Sequence, residues 1–316
     1  ALAKERGDTN PFDIHFDDAP NFYVHGAPGS TAPPGPYDPA VRQLEQDLGK
    51  LTLTDQRTGA SVPVTQHLAD AEDQSILHMT TTDPLRTPSF TDFADPTFFY
   101  QTGSCPSGST TPGCPVVNPA FAWNHGGDQP EVTTTWLGLV GPTIRHLGET
   151  GAVWSDHTDI RPTMLTTLGL HSDYLQDGAA LTPLLRQRAL PDAVRRDPAG
   201  YQRLAAVYTQ LNAAVGQFGH DSEVVSTTAA ESTSPADSVA RGFDRQLASC
   251  QSARDDLAYR MKTLLSAAVF GNRSVPRGLA EVLSRRGDEL ITDMHQLAAM
   301  STPPTRAVCG ARGHSR

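Results

Sequence analysis

The feature that most constrains the fold is a long helical repeat near the C-terminus. Over residues 236–270 apolar side chains recur every three or four positions, which places them along one face of a helix. This stripe contains Val239, Phe243, Leu247, Cys250, Leu257, Met261, Leu264 and Ala268. Gly271 and Asn272 end the pattern, and a second stripe runs from about Pro276 to Met300. We therefore predict two long helices that form an antiparallel hairpin.

The rest of the C-terminal part also has helical spacing. Residues 198–215 carry apolar side chains on one helical face, and residues 226–235 are rich in Ser, Thr and Ala, which predicts a linker. We therefore divide the chain into an α/β domain over residues 1–190 and a helical appendage over residues 191–316.

Four cysteines are relevant to the cellular compartment in which the protein is located. Cys105 and Cys114 flank a loop of Pro, Gly, Ser and Thr, and Cys250 and Cys309 form a second candidate pair. Disulfides would indicate an oxidising, extracytoplasmic location, either secreted or in the cell envelope. A zinc–thiolate site is the alternative, but no C-x-x-C pair or nearby paired histidine accompanies the cysteines. The sequence leaves the connectivity open.

Composition excludes several classes of function. The chain has 25 Lys and Arg against 35 Asp and Glu, a net charge of −10, so nucleic acid is not an expected partner. The sequence contains no apolar run of eighteen residues, so it predicts no membrane span. The first residues contain neither an initiator Met nor an apolar signal core, so we expect the N-terminus to have been removed by processing or by choice of fragment.

The N-terminal region reads as short strands. Residues 11–26 alternate aromatic and polar side chains, which predicts one or two strands. His15, Asp17, Asp18 and His25 lie among them and are of the types that ligate divalent ions. The pattern favours the other interpretation, in which Asp17 and Asp18 are turn residues before a proline.

Further elements follow before residue 100. Asp38 and the proline after it form a typical helix start. We predict a short helix over residues 66–74, a buried strand over 75–81 and another strand over 96–100. His78 would lie in the buried strand, where a hydrogen-bonded core histidine is favoured over a metal ligand.

The densest chemistry lies in residues 120–169. Residues 121–125 read as a strand that delivers His125 to its end, followed by a turn on two glycines. In open α/β sheets ligands bind at such strand ends, and a neutral imidazole there can coordinate a metal. Residues 132–141 predict a buried strand. Asp156 and His157 read either as a metal pair or, as position favours, as residues that fix the start of a helix ending at Gly169.

These motifs together resemble the C-terminal half of the alkaline phosphatase superfamily, in the branch of sulfatases and type I phosphodiesterases. The resemblance rests on the H-G-G turn at His125, the strand ending in Gly141 and Pro142, and the H-x-D-I-x-P-T-x-L helix beginning at His157. It covers roughly residues 75–185, about a third of the chain.

The resemblance implies a mixed α/β sheet with flanking helices and a two-metal site that hydrolyses phosphate or sulfate esters. It implies a divalent metal, with zinc ahead of Mn, Ca or Mg, and it matches His125 to the last metal-ligand histidine of the family. Asp159 to Leu165 match the helix that supports the site. The substrate would be a phosphomonoester, phosphodiester or sulfate ester.

The sequence also departs from the family. We find no match for its first metal-ligand aspartate, its nucleophile or its central Asp–His pair, so the expectation is a C-terminal part of a larger hydrolase that is inactive alone. The alternative is a binding or structural module that keeps the scaffold without catalysis. A third hypothesis is an unrelated secreted α/β protein whose helical hairpin binds a partner.

Overall fold

The structure is a computed structural model that describes residues 12–16, 19–26, 32–100, 116 and 125–310. The chain divides into two compact units that interleave in sequence. Unit 1 comprises Ala1–Thr135, His220–Ala248 and Leu297–Arg306, and unit 2 comprises Trp136–Gly219, Ser249–Gln296 and Ala307–Arg316. The predicted division at residue 190 stays a prediction.

Unit 1 is built on a four-stranded antiparallel sheet. In chain order its strands are β1 (Phe12–His15), β2 (Asn21–Val24), β5 (Thr65–Ala69) and β6 (Phe90–Ala94), and their spatial order is β1-β2-β6-β5. A separate hairpin joins β3 (Thr52–Thr54) to β4 (Ser61–Pro63). The short N-terminal strands predicted over residues 11–26 are confirmed as β1 and β2.

Helix α1 (Pro39–Gly49) covers this sheet with a face that contains Val41, Leu44 and Leu48. Asp38 caps it, since the carboxylate accepts from the Ala40 amide at 2.9 Å, and Pro39 occupies the first turn. The resulting core contains Phe22, Val24, Val41, Leu44, Leu48, Leu68, Phe90 and Ala230. The rings of Phe22 and Phe90 stack at 4.8 Å between centroids.

The helix predicted over 66–74 is displaced toward the C-terminus, and the buried strand predicted over 75–81 is wrong. The structure has strand β5 first and helix α2 (Ala71–Ile76) after it. The carboxylate of Asp70 accepts from the Glu72 and Asp73 amides, so the helix begins there. His78 follows the helix with a positive φ of 59° and is exposed, so it is not a core histidine.

The strand predicted over residues 96–100 is also misplaced. The buried strand is β6, six residues earlier in the chain at its start, and residues 96–97 form a turn. β6 is buried at all five positions because it lies between β2 and β5 in the sheet. The aromatic residues at 98–100 therefore follow the sheet instead of entering it.

A linker was predicted over residues 226–235. Residues 226–231 of that segment belong instead to helix α7 (Gln217–Glu231). The hydroxyl of Thr227 donates to the carbonyl of Glu223 at 2.7 Å, and that of Thr228 to Val224 at 2.9 Å. These contacts satisfy hydroxyl groups inside a helix, so the Ser/Thr-rich composition does not interrupt it.

The C-terminal helices agree with the sequence. They are α6 (Pro198–Asn212), α8 (Ser238–Phe270) and α9 (Arg277–Ala298), besides the short α5 (Asp192–Arg196). Within unit 2, Met261 of α8 lies against Gly287 of α9, at nearly equal distances in sequence from the connecting loop, as in an antiparallel pair. A Cβ at Gly287 would lie 2.4 Å from Val207 of α6, so close packing requires glycine there.

A disulfide joins Cys250 to Cys309 across 59 residues, which confirms that predicted pair. Such a bond is compatible with an extracellular protein. Cys105 and Cys114 lie outside the described residues. None of the described helices has the length and apolarity that crossing a bilayer requires.

The segment predicted as a buried strand over 132–141 has a different structure. Residues 130–133 form the short helix α3 (Pro130–Thr133), and the residues after it are irregular and solvent-exposed. The Trp136 side chain is 89% exposed and that of Val140 is fully exposed. Among the described residues, no strand pairs with this segment, so its apolar side chains have no sheet to pack against.

The helix predicted after residue 158 is confirmed as α4 (Ile160–Leu168), ending on Gly169 in the left-handed conformation. Asp156 and Asp159 form a reciprocal capping box at its start. The fold is therefore mixed α/β with a small antiparallel sheet and several helices. The alkaline-phosphatase-like sheet stays a prediction.

Candidate metal centre

Three buried side chains of unit 1 form a group of metal-ligating type. One nitrogen of His67 and one carboxylate oxygen each from Asp128 and Glu223 all lie within 4.8 Å of one another. The Nδ1 atom of His67 and Oδ2 of Asp128 share a short hydrogen bond. All three side chains are almost entirely withdrawn from solvent.

Strand β5 positions His67. The pairing of β5 with β6 shifts register between Thr65 and His67, a bulge that changes the direction of the side chains beside it. Beyond the bulge His67 lies opposite Phe93 and Leu68 opposite Asp92. β5 lies at one edge of the sheet, next to β6. Its outer edge pairs with no strand of the sheet and is open to other partners.

Asp128 is fixed by the residue after it. The side-chain amide of Gln129 donates a short hydrogen bond to the carbonyl of Ala94, the last residue of β6. Both Asp128 and Gln129 are buried, and Pro130 then starts helix α3. The chain is thereby held at the end of the strand next to β5, which brings Asp128 to His67.

Glu223 is placed by the docking of α7 on the open edge of β5. The Ser226 hydroxyl donates to the Leu68 carbonyl at 2.6 Å and accepts from the Asp70 amide at 2.9 Å. The Thr227 hydroxyl accepts from the Leu68 amide at 2.9 Å. Hydroxyl groups thus satisfy the edge of the strand as another strand would. Glu223 lies one helical turn before these residues, at the level of His67.

The group sits in a strongly acidic interior. Burial raises the pKa of Glu223 well above its usual range, and the charge of Asp128 adds to the effect while His67 opposes it. Burial also raises the pKa of Asp73, and the charge of Glu223 is the second cause of that rise. A 2.6 Å hydrogen bond from the Ser222 hydroxyl lowers the pKa of Asp73 in part. A cation would offset the repulsion among these carboxylates.

Asp92 extends this acidic interior along β6. Burial raises its pKa to about 7, and the Tyr100 hydroxyl, which donates to Oδ2 at 2.5 Å, works in the other direction. The charge of Asp128 contributes to the rise. Asp92 is therefore close enough to the group to sense its charge.

The set of donors suits a divalent metal ion. Imidazole nitrogen with carboxylate oxygen is a common combination for zinc and other first-row metals. The Asp128 side chain is buried, with only 2% of its surface exposed. Even so, its Oδ1 atom receives no hydrogen bond from any described N–H or hydroxyl group. A buried carboxylate oxygen without a donor is costly unless a cation neutralises it. The residues therefore fit an ion.

The sequence-predicted ligand His125 lies elsewhere. It is exposed, three residues before Asp128, and is outside the group of three. Its proposed role as a metal ligand stays a prediction. Asp156 and His157 belong to the turn that starts α4, so the interpretation as helix-start residues is confirmed.

The N-terminal candidates are not gathered into a metal group in the part of the chain that the structure describes. His25 forms a 2.9 Å hydrogen bond with Asp13 at the surface. His15 lies at the exposed end of β1. Asp17 and Asp18 lie outside the described residues.

Sequence reasoning missed all three members of the group. His67 was assigned to a helix, and Glu223 precedes a segment that composition marks as a linker. One signal was available. His220 and Glu223 have the i, i+3 spacing that puts two ligand-type side chains on one face of a helix.

Comparison of this chain with protein-family models, curated proteins and solved structures finds no match.

Proposed function

We propose that this chain is the metal-binding C-terminal part of a hydrolase acting on phosphate or sulfate esters. The observation that carries the proposal is the buried group of His67, Asp128 and Glu223, which supplies one nitrogen and two oxygen ligands. The motifs around His125 and Asp159, which resemble the alkaline phosphatase superfamily, support the reaction class. The disulfide supports an extracytoplasmic location.

Zinc is the proposed ion. A histidine ligand favours zinc or manganese over calcium and magnesium, which prefer sites made of oxygen alone. In ester hydrolysis a bound divalent ion polarises the ester oxygen and stabilises developing negative charge. The role of the protein is to hold the three ligands in place. Strand β5 fixes His67, Gln129 anchors Asp128, and helix α7 carries Glu223.

The second candidate is a non-catalytic module in which the metal is structural. The burial of the group favours it, since catalytic metals keep a position open to water and substrate whereas structural zinc sites are closed. The Asp128 side chain is 2% exposed and that of Glu223 is 4% exposed.

Metal content and turnover, measured together, separate the two candidates. We expect the purified 316-residue chain to retain one zinc ion per chain after dialysis and to show no turnover of 4-nitrophenyl esters. A polypeptide that also carries the nucleophile-bearing half should hydrolyse a phosphate, phosphodiester or sulfate chromogen with added zinc, and His125→Ala should lower its rate sharply. Zinc without turnover in that longer polypeptide would favour the structural module.

A further inference from the structure

His220 occupies the solvent side of the metal group. Its side chain is 41% exposed, whereas those of Asp128 and Glu223 are almost fully buried. Its ring meets that of His67 edge to face, with 5.8 Å between centroids. An ion entering the group from solvent on this side would therefore pass the imidazole of His220.

The same imidazole already contacts a member of the group. Nδ1 of His220 lies 3.2 Å from Oε2 of Glu223, three residues later on α7. Two ligands of one tetrahedral zinc ion, each at about 2.0–2.2 Å from the metal, are separated by about 3.3 Å. The pair therefore has the separation of two neighbouring ligands in one coordination sphere.

We propose that His220 is the fourth ligand of the metal held by His67, Asp128 and Glu223. The resulting set has two imidazole nitrogens and two carboxylate oxygens, which suits a tetrahedral zinc ion. A modest rotation of the half-buried imidazole would bring it onto the ion, since its ring already touches His67 and its Nδ1 touches Glu223. This inference rests on the proposed metal binding.

A fourth protein ligand has a consequence for function. With His220 bound, the ion has no open position, which is the arrangement of a structural zinc site. An open position for substrate would exist only when His220 dissociates. His220 would thus decide between the two candidate functions.

The test compares zinc binding by three variants of the 316-residue chain. We expect His220→Ala and His220→Gln to weaken zinc binding at least tenfold, and X-ray absorption of the zinc complex to count two imidazoles in the wild type and one in each variant. His295→Ala, which removes an exposed histidine of α9, should change neither value. The glutamine variant guards against a loss caused only by a smaller side chain.

The outcomes separate this inference from the proposed function. If His67→Ala abolishes zinc binding while both His220 variants bind as tightly as the wild type, and one imidazole is counted in the wild type as well as in the variants, the assignment of His220 is overturned and the three-residue centre stands. If neither the wild type nor any variant binds zinc, the proposed metal binding fails and the assignment of His220 fails with it.

Discussion

The imidazole of His67 and the carboxylate of Asp128 are joined by a buried hydrogen bond between Nδ1 and Oδ2, across 61 positions of sequence. The bond exists because two anchoring contacts meet at this edge of the sheet. Gln129 ties Asp128 to the end of β6, and the bulge at Thr65 orients His67 on β5. Glu223 completes the group from the helix docked on the same edge.

The first prediction concerns the docking of α7. Ser226→Ala removes a hydroxyl that satisfies the Leu68 carbonyl and the Asp70 amide, both in the interior. Each unsatisfied buried group costs about 1–3 kcal/mol, so for the two groups we expect urea unfolding to show a loss of about 2–6 kcal/mol. Thr228→Ala, whose hydroxyl bonds only within its own helix, should cost less than about 1 kcal/mol. Equal losses in the two variants would contradict this account.

The second prediction concerns pH. Burial raises the pKa of Asp159 to about 6, although the Asp156 and Ala179 amides donate to it. At pH values between about 4 and about 6, Asp159 is still protonated in the folded state but has lost its proton in the unfolded state. The free energy of unfolding therefore falls as pH rises through this range. At about 1.4 kcal/mol per unit, the contribution approaches 3 kcal/mol.

Asp159→Asn isolates this contribution from those of other carboxyl groups. The asparagine does not titrate, so the wild-type minus variant difference in unfolding free energy should fall between pH 4 and pH 6 and be constant above pH 7. A difference that does not vary with pH would show that Asp159 has an ordinary pKa.

The third prediction concerns Gly178. A Cβ at this position would lie 2.1 Å from the carbonyl oxygen of Thr158, and that oxygen belongs to the backbone of the turn before α4. Backbone cannot yield as a side chain can, so Gly178→Ala should cost about 2 kcal/mol or more. Gly151→Ala meets nothing within 4 Å and should change stability by less than about 0.5 kcal/mol. Thermal unfolding of the two variants measures the contrast.

The fourth prediction concerns the disulfide. It closes a loop of 59 residues, and removing such a constraint from the unfolded chain corresponds to a loss of up to about 4 kcal/mol. The double variant Cys250→Ser, Cys309→Ser should therefore unfold at a lower urea concentration. The variant is preferable to a reductant because the other two cysteines are left unchanged. An unchanged midpoint would mean that the bond contributes nothing to stability.

Local patterns in the sequence predicted much of the helical part. The apolar stripes of α8 and α9, the cap at Asp38 and the stop at Gly169 each depend on neighbouring residues, and each was predicted correctly. Cys250 and Cys309 were a candidate pair by the count of four cysteines, and the disulfide joins them.

Other elements depend on distant contacts that sequence patterns do not reveal. Residues 65–69 form a strand because β6 pairs with them, and Asp70 then starts a helix in the middle of the segment predicted to be helical. Residues 226–231 are helical because Ser226 and Thr227 bond to the edge of β5. The metal group combines three such contacts, and local spacing offers only the i, i+3 pair of His220 and Glu223 as a signal of it.

The most direct test of the account is the effect of zinc on the free energy of unfolding of the wild type and of Glu223→Gln. At free zinc one hundred times the dissociation constant, binding to the folded state alone stabilises the wild type by about 2.7 kcal/mol. Glu223→Gln should gain much less, and without zinc it should be at least as stable as the wild type, because a buried carboxylate is removed. An equal gain in both proteins, or no gain in either, would contradict a metal centre at His67, Asp128 and Glu223.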